Sequence, residues 1–202
     1  MNTRTLSLIA GGSYLVIFFA AIYANFFVLE LIFQDPLVAI EQHGLSVRFG
    51  IMAFLVTAVF DMFVAWALYE LYKEHPLIHI STSFRVAHAV IMAVAVSALP
   101  LVFGMHTGEE IVMQATLFNT IWLIALFFFG VHLIFLGRIV KHIKIIPYFL
   151  IAAGVMYMVD TSAHFLLPAY ESYADIFLMM VAIPSIVGEM AFAIWLLVKG
   201  GK

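Results

Sequence analysis

The sequence predicts an all-α integral membrane bundle of six transmembrane helices with both termini cytoplasmic, and three observations carry that reading. The first is composition. Of 202 residues, 65% are hydrophobic and 10% charged, where soluble domains have about 45–50% and about 25%. A small domain leaves much of its surface exposed, so a chain with mean hydropathy +1.13 has lipid as its solvent. The second is six apolar stretches, each long enough to cross ~30 Å of hydrocarbon with ~20 helical residues. The third is a one-sided distribution of basic residues.

The stretches run over 6–33, 47–72, 82–104, 111–137, 145–167 and 174–198. They are read as helices because only helices and closed barrels satisfy backbone groups in lipid, and runs this long show no strict alternation. The first follows a lone Arg4 and is too long for a signal-peptide core, so it reads as a retained span. The connections 34–46, 73–81, 105–110, 138–144 and 168–173 are polar and short. None holds a soluble domain, so residues 1–202 read as one transmembrane domain. There is no repeat of fixed period and no low-complexity tract.

Six crossings place Arg4, Lys73, Arg85, Arg138, Lys141, Lys144, Lys199 and Lys202 on one side and Arg48 alone on the other. The opposite connections carry Asp35, Glu41, Glu109, Glu110, Glu171 and Asp175. Short-loop Lys and Arg mark the cytoplasmic side. Arg48 and Arg85 lie near predicted helix starts, where snorkelling to headgroups is expected. Ala89, Ala93 and Ser97 recur every fourth residue in the third span and predict a small-residue packing face. Ala20 and Ala24 do the same in the first, and Pro184 predicts a kink in the sixth.

A net charge of −3 and scattered basic residues give no nucleic-acid surface, and the absence of cysteine excludes disulfides, thiolate nucleophiles and iron–sulfur clusters. The partner that composition implies is the bilayer, with a small polar solute or ion as candidate ligand. Oligomeric state is not legible.

Chemistry is sought among ionisable residues inside the spans, which are costly there and mark pathways or sites. Counting from the helix ends, Asp61, Glu189, His132 and His88 come from four helices at middle depth on the cytoplasmic side. A carboxylate beside an imidazole suits a proton relay or cation site; acids that only tie helices together by hydrogen bonds are the alternative. Thr57 and Ser185 stand four residues before Asp61 and Glu189 on the same faces. A second pair, Asp160 and His164, stacks on one helix face in the outer half, where Glu30, His43 and His106 approach. Carboxylate and imidazole are ordinary zinc ligands, which opens a membrane-embedded metal-dependent hydrolase acting on lipid-like substrates, with Ser162 close by. His88 and His132 at similar depth open a b-type haem. The sequence requires no cofactor, and zinc and haem remain alternatives. No catalytic residue is identified.

Several short motifs occur in order along almost the whole chain: Arg4, Gly11 and Tyr14; Arg48-Phe49-Gly50; Asp61 with Ala67-Leu68-Tyr69; Phe84-Arg85; Gly130-Val131-His132 with Gly137; Pro147; Tyr157 with Asp160; Leu167-Pro168; and Glu189 with Trp195-Leu196-Leu197-Val198-Lys199-Gly200. In this order the chain resembles an uncharacterised bacterial group of multi-pass membrane proteins, the domain-of-unknown-function family four-three-eight-six. The resemblance implies a bacterial integral membrane protein and no reaction.

Overall fold

A computed structural model describes residues 1–200; Lys202, counted above among the basic residues, lies outside them. Among the described residues six helices are long and apolar enough to span a membrane: Thr3–Gln34, Gly44–Leu71, Ile78–Gly104, Gly108–Ile139, Ile146–Leu166 and Tyr170–Val198. The fold is all-helical, and the chain is a multi-pass membrane protein. Consecutive spans pack antiparallel, and the sixth closes on the first to complete a ring. One end of the ring carries both described chain ends and is called here the terminal face.

Helix ends follow local chemistry. The Asn2 carboxamide accepts from the Thr5 amide, 2.7 Å, and Asp35 caps the short helix Pro36–Glu41, with proline at its first position. Thr107 and Glu110 form a reciprocal capping box that starts the fourth span. The third span begins at Ile78, four residues before the predicted start, because the turn at Pro76 leads straight into buried Ile78. It ends in a 3₁₀ segment, Leu99–Gly104. The sixth runs as α-helix through Pro184. The first contains a π-helical segment, Tyr23–Leu29, in which the Glu30 amide reaches back five residues to the Asn25 carbonyl.

Two large apolar cores fill the ring, with a small cluster of Ala58, Met92 and Ala125 besides. The one near the terminal face draws on all six spans, with Leu6, Leu68, Ile78, Leu133, Leu150 and Phe192 among its members. The one in the far half is built from spans one to four and the short helix Pro36–Glu41, around Val28, Ile32, Phe54, Val96 and Phe118. Glycines set the closest approaches: a Cβ on Gly154 would run into the Gly130 carbonyl and come within 2.9 Å of Ile134, while one on Gly188 would stand 3.0 Å from the Leu150 amide nitrogen. The alanine ladder of the third span does not serve this purpose. Ala89 is buried, but Ala93 and Ser97 are exposed, because the inward face follows Ala89, Met92, Ala95 and Val96.

Candidate intramembrane site

The organising residue of the site is one that the sequence assigned to the headgroups. Arg85 is 1% exposed, two helical turns inside the third span because that span starts at Ile78. Its guanidinium donates to the Asp61 carboxylate of the second span, to the Tyr14 hydroxyl of the first, 2.9 Å, and faces His132 Nε2 of the fourth, 3.1 Å. The rings of Tyr14 and Phe129 stand 4.8 and 5.2 Å from the guanidinium carbon, within reach of a cation–π contact. Its Nε is buried without a hydrogen-bond partner.

The donors fix the imidazoles. Arg85 has only protons to offer, so His132 Nε2 accepts and Nδ1 carries the hydrogen, donated to the Ser81 carbonyl at 2.9 Å. The Ser81 hydroxyl lies 3.0 Å from the same nitrogen. His88 Nδ1 likewise donates to the Ala125 carbonyl, 2.9 Å, leaving Nε2 facing Asp61 Oδ2 at 3.4 Å.

Tyr14, Asp61, Arg85, His88 and Phe129 border a cavity of about 570 Å³, within the ~300–1,000 Å³ range of small-ligand sites. Asp61, Arg85, His88 and Glu189 line it at one end and Glu30, Asp160 and Tyr170 at the other, so acids of the two clusters expected separately share one space, while His132 and His164 are not among the lining residues. Asp160 accepts from Tyr170, 2.7 Å, and His164 packs edge-on against the Tyr170 ring, centroids 4.6 Å apart. Glu30 accepts from Gln34, 2.8 Å. Glu189 makes no hydrogen bond or ion pair within the protein among the described residues.

The structure thus brings Asp61, His88 and His132 together around Arg85 and sets Glu189 on the same cavity. His43 and His106 stay exposed at the far face. Thr57 and Ser185 do not reach the acids. The Thr57 hydroxyl donates to Ala53 and Phe54 and that of Ser185 to Ala182, all backbone carbonyls of their own helices; Ser162 does the same to Met158. Among the described residues no three His, Asp or Glu side chains converge as metal ligands, and His88 and His132, the imidazoles weighed for haem, have both ring nitrogens turned to protein partners. Sequence reasoning missed Arg85. Its signal was its position three residues before His88, on one helix face with it. Tyr14 stood out only as part of the Arg4, Gly11 and Tyr14 motif, which assigned it no role.

The family model described as "Domain of unknown function (DUF4386)" matches the chain over residues 9–200. No curated protein and no solved structure matches the chain.

Proposed function

Since the chain belongs to the DUF4386 family, whose description names no reaction, we propose from the geometry alone that the protein binds a proton, a cation or a small polar solute in its intramembrane cavity and passes it across the bilayer. One observation carries this reading: Asp61, Glu189, Asp160 and Glu30 border a single cavity with His88. Ionisable groups at membrane depth are retained against a cost of about 2.5–3.5 kcal/mol each on insertion scales. A purely structural role suits Asp61, which pairs with Arg85. It does not account for Glu189, which ties no helix to another.

The proposed orientation has both termini in the cytoplasm. Arg4, Lys73, Arg138, Lys141, Lys144 and Lys199 fall at the terminal face even with Arg85 moved into the interior, so the positive-inside rule still points one way. A reporter fused to the amino terminus and found outside the cell would reverse it.

The test of transport is flux in vesicles. Purified protein reconstituted with a trapped pH-sensitive or cation-sensitive dye is expected to conduct above protein-free vesicles. Glu189→Gln is expected to lower that flux about tenfold or more without changing the unfolding temperature. Native vesicles no leakier than empty ones to protons, monovalent cations and small polar solutes would overturn the reading.

A further inference from the structure

The walls of the cavity narrow the kind of solute. Arg85 is the one strongly basic side chain among the described lining residues, and it is already committed to Asp61, Tyr14 and His132. An anionic ligand drawn to that cation would lie against Asp61, with Glu189 and Asp160 on the same wall, and repulsion by these carboxylates disfavours it. An entirely apolar ligand would leave the buried Glu189 carboxyl facing it without a hydrogen-bond partner, which is costly in an apolar wall. A bare divalent metal ion would require several converging oxygen or nitrogen ligands, and no such group exists among the described residues. Most of the rest of the wall is aromatic and aliphatic, with Phe18, Phe26, Phe33, Met92, Trp122 and Phe129 exemplifying it beside a few polar side chains such as Asn25, Thr57 and Ser185.

Access points the same way. Near the terminal face the first and sixth spans are locked together. Arg4 donates to the Leu196 and Gly200 carbonyls, 3.1 and 3.0 Å, and a Cβ on Gly11 would lie 2.9 Å from the Ala193 oxygen. Beyond Tyr14 and Phe192, whose rings meet edge-on at 6.0 Å, the two spans part. The π segment packs on the second span and makes no comparable contact with the sixth. Phe18, Ala21 and Phe26 on one side and Leu178, Ala182 and Ile186 on the other all line the cavity. Phe26 is 60% and Leu178 54% exposed, so the cavity meets surrounding lipid along this gap.

We propose that the cavity takes an amphiphilic amine, with its ammonium group at Glu189 and its apolar body among the aromatic side chains, admitted from the lipid between the far halves of the first and sixth spans. Carboxylates with aromatic faces suit an organic ammonium, which gains both charge pairing and cation–π attraction. A lateral gap suits a ligand that partitions into the bilayer before it binds. This rests on the binding-or-transport reading above and names its ligand class.

The test uses three probes with the same apolar body and different heads: phenylbutylammonium, phenylbutanol and phenylbutyrate. Each is titrated into the full chain in phosphatidylcholine nanodiscs and followed by the fluorescence of Trp122, which lines the cavity; Trp122→Phe identifies its share of the signal. The ammonium is expected to bind at least about tenfold tighter than the other two, a difference of about 1.4 kcal/mol. Glu189→Gln is expected to remove most of that preference and leave alcohol binding unchanged. Equal binding of all three heads, a preference for the carboxylate, or an unaltered ammonium affinity in Glu189→Gln would overturn the inference. The head-group comparison is made on the native protein, so it stands even if the variant fails to fold. Repeating the titration with phosphatidylethanolamine in the nanodiscs separates the sources. Competition identifies an aminophospholipid headgroup as the occupant, and its absence identifies a free amine. Amine binding without flux would overturn transport and leave this inference intact, whereas Glu189-dependent flux of protons or inorganic cations without amine binding would do the reverse.

Discussion

The two halves of the bundle are made from the same apolar helices and are put together differently. Near the terminal face all six spans share one core, glycines let backbones touch at Gly130 and Gly154, and the buried Arg85 holds side chains from the first, second and fourth spans. In the far half the core belongs to the first four spans, the fifth stays against the fourth, where the buried Thr161 hydroxyl donates to the Leu123 carbonyl at 3.1 Å, and the sixth meets the first across a cavity. In lipid there is no hydrophobic drive to close such a space, because tails are as apolar as the side chains they replace. Closure must come from small residues and paired polar groups. The terminal half has both, whereas the far half has aromatic side chains and a π segment, a form of helix frequent at functional sites. The packed half therefore works as a base and the loose half as the part with room for a ligand.

Breaking the base at its charged centre gives the largest effect. Arg85→Ala strands Asp61, and loss of one partner of a buried pair costs about 3–5 kcal/mol. Unfolding by denaturing detergent, read by circular dichroism, is the measurement. Replacing both partners, Arg85→Met with Asp61→Leu, is expected to restore much of the loss, since two apolar side chains leave no charge uncompensated. A double variant no better than Arg85→Ala would mean that Tyr14 and His132, and not the ion pair, carry the stability. Next in size is Gly154→Val, which drives a branched side chain into the Gly130 carbonyl and Ile134. Overpacking of this kind costs about 1–3 kcal/mol, and the same assay reads it.

How much of this was legible follows the same division. Six spans and their approximate limits came from hydropathy, because the length needed to cross lipid is a property of a stretch and not of its neighbours. Asp61, His88, His132, Glu189 and Asp160 could be picked out because an ionisable side chain is conspicuous in an apolar helix. What joined them was not readable. Arg85 looked like an interfacial residue as long as the third span was taken to start at residue 82, and the four-residue error hid its depth. The alanine ladder was misread because period alone does not say which face turns inward; Gly130, Gly154 and Gly188, which do set the approaches, are spread over three helices. The π segment and the gap beside it depend on how one helix lies against two others, and no local pattern encodes that.

Two smaller predictions sharpen the contrast. Arg4 caps the carboxyl end of the sixth span, where the last turn leaves carbonyls unpaired and a cation is favoured. Arg4→Gln keeps length and polarity but loses the charge, and is expected to cost about 1–2 kcal/mol at this half-exposed position. The loss should be accompanied by faster hydrogen exchange at Leu196–Gly200, measured by mass spectrometry. Exchange unchanged there would place the lock elsewhere, in the contact of Gly11 with Ala193 and Leu197.

The smallest effect on stability is the most informative about the far half. Ala182 lies on the sixth span and lines the cavity beside the gap. Ala182→Leu adds bulk comparable to that added by Gly154→Val, but into open space, so no backbone has to move and stability should stay within about 0.5 kcal/mol of native. The same substitution fills part of the cavity and narrows the opening between the spans, so phenylbutylammonium binding should weaken several-fold while the unfolding curve is unchanged. If Ala182→Leu destabilised the protein as much as Gly154→Val, the far half would be packed as tightly as the terminal half, because the added methyl groups would then be meeting atoms and not empty volume.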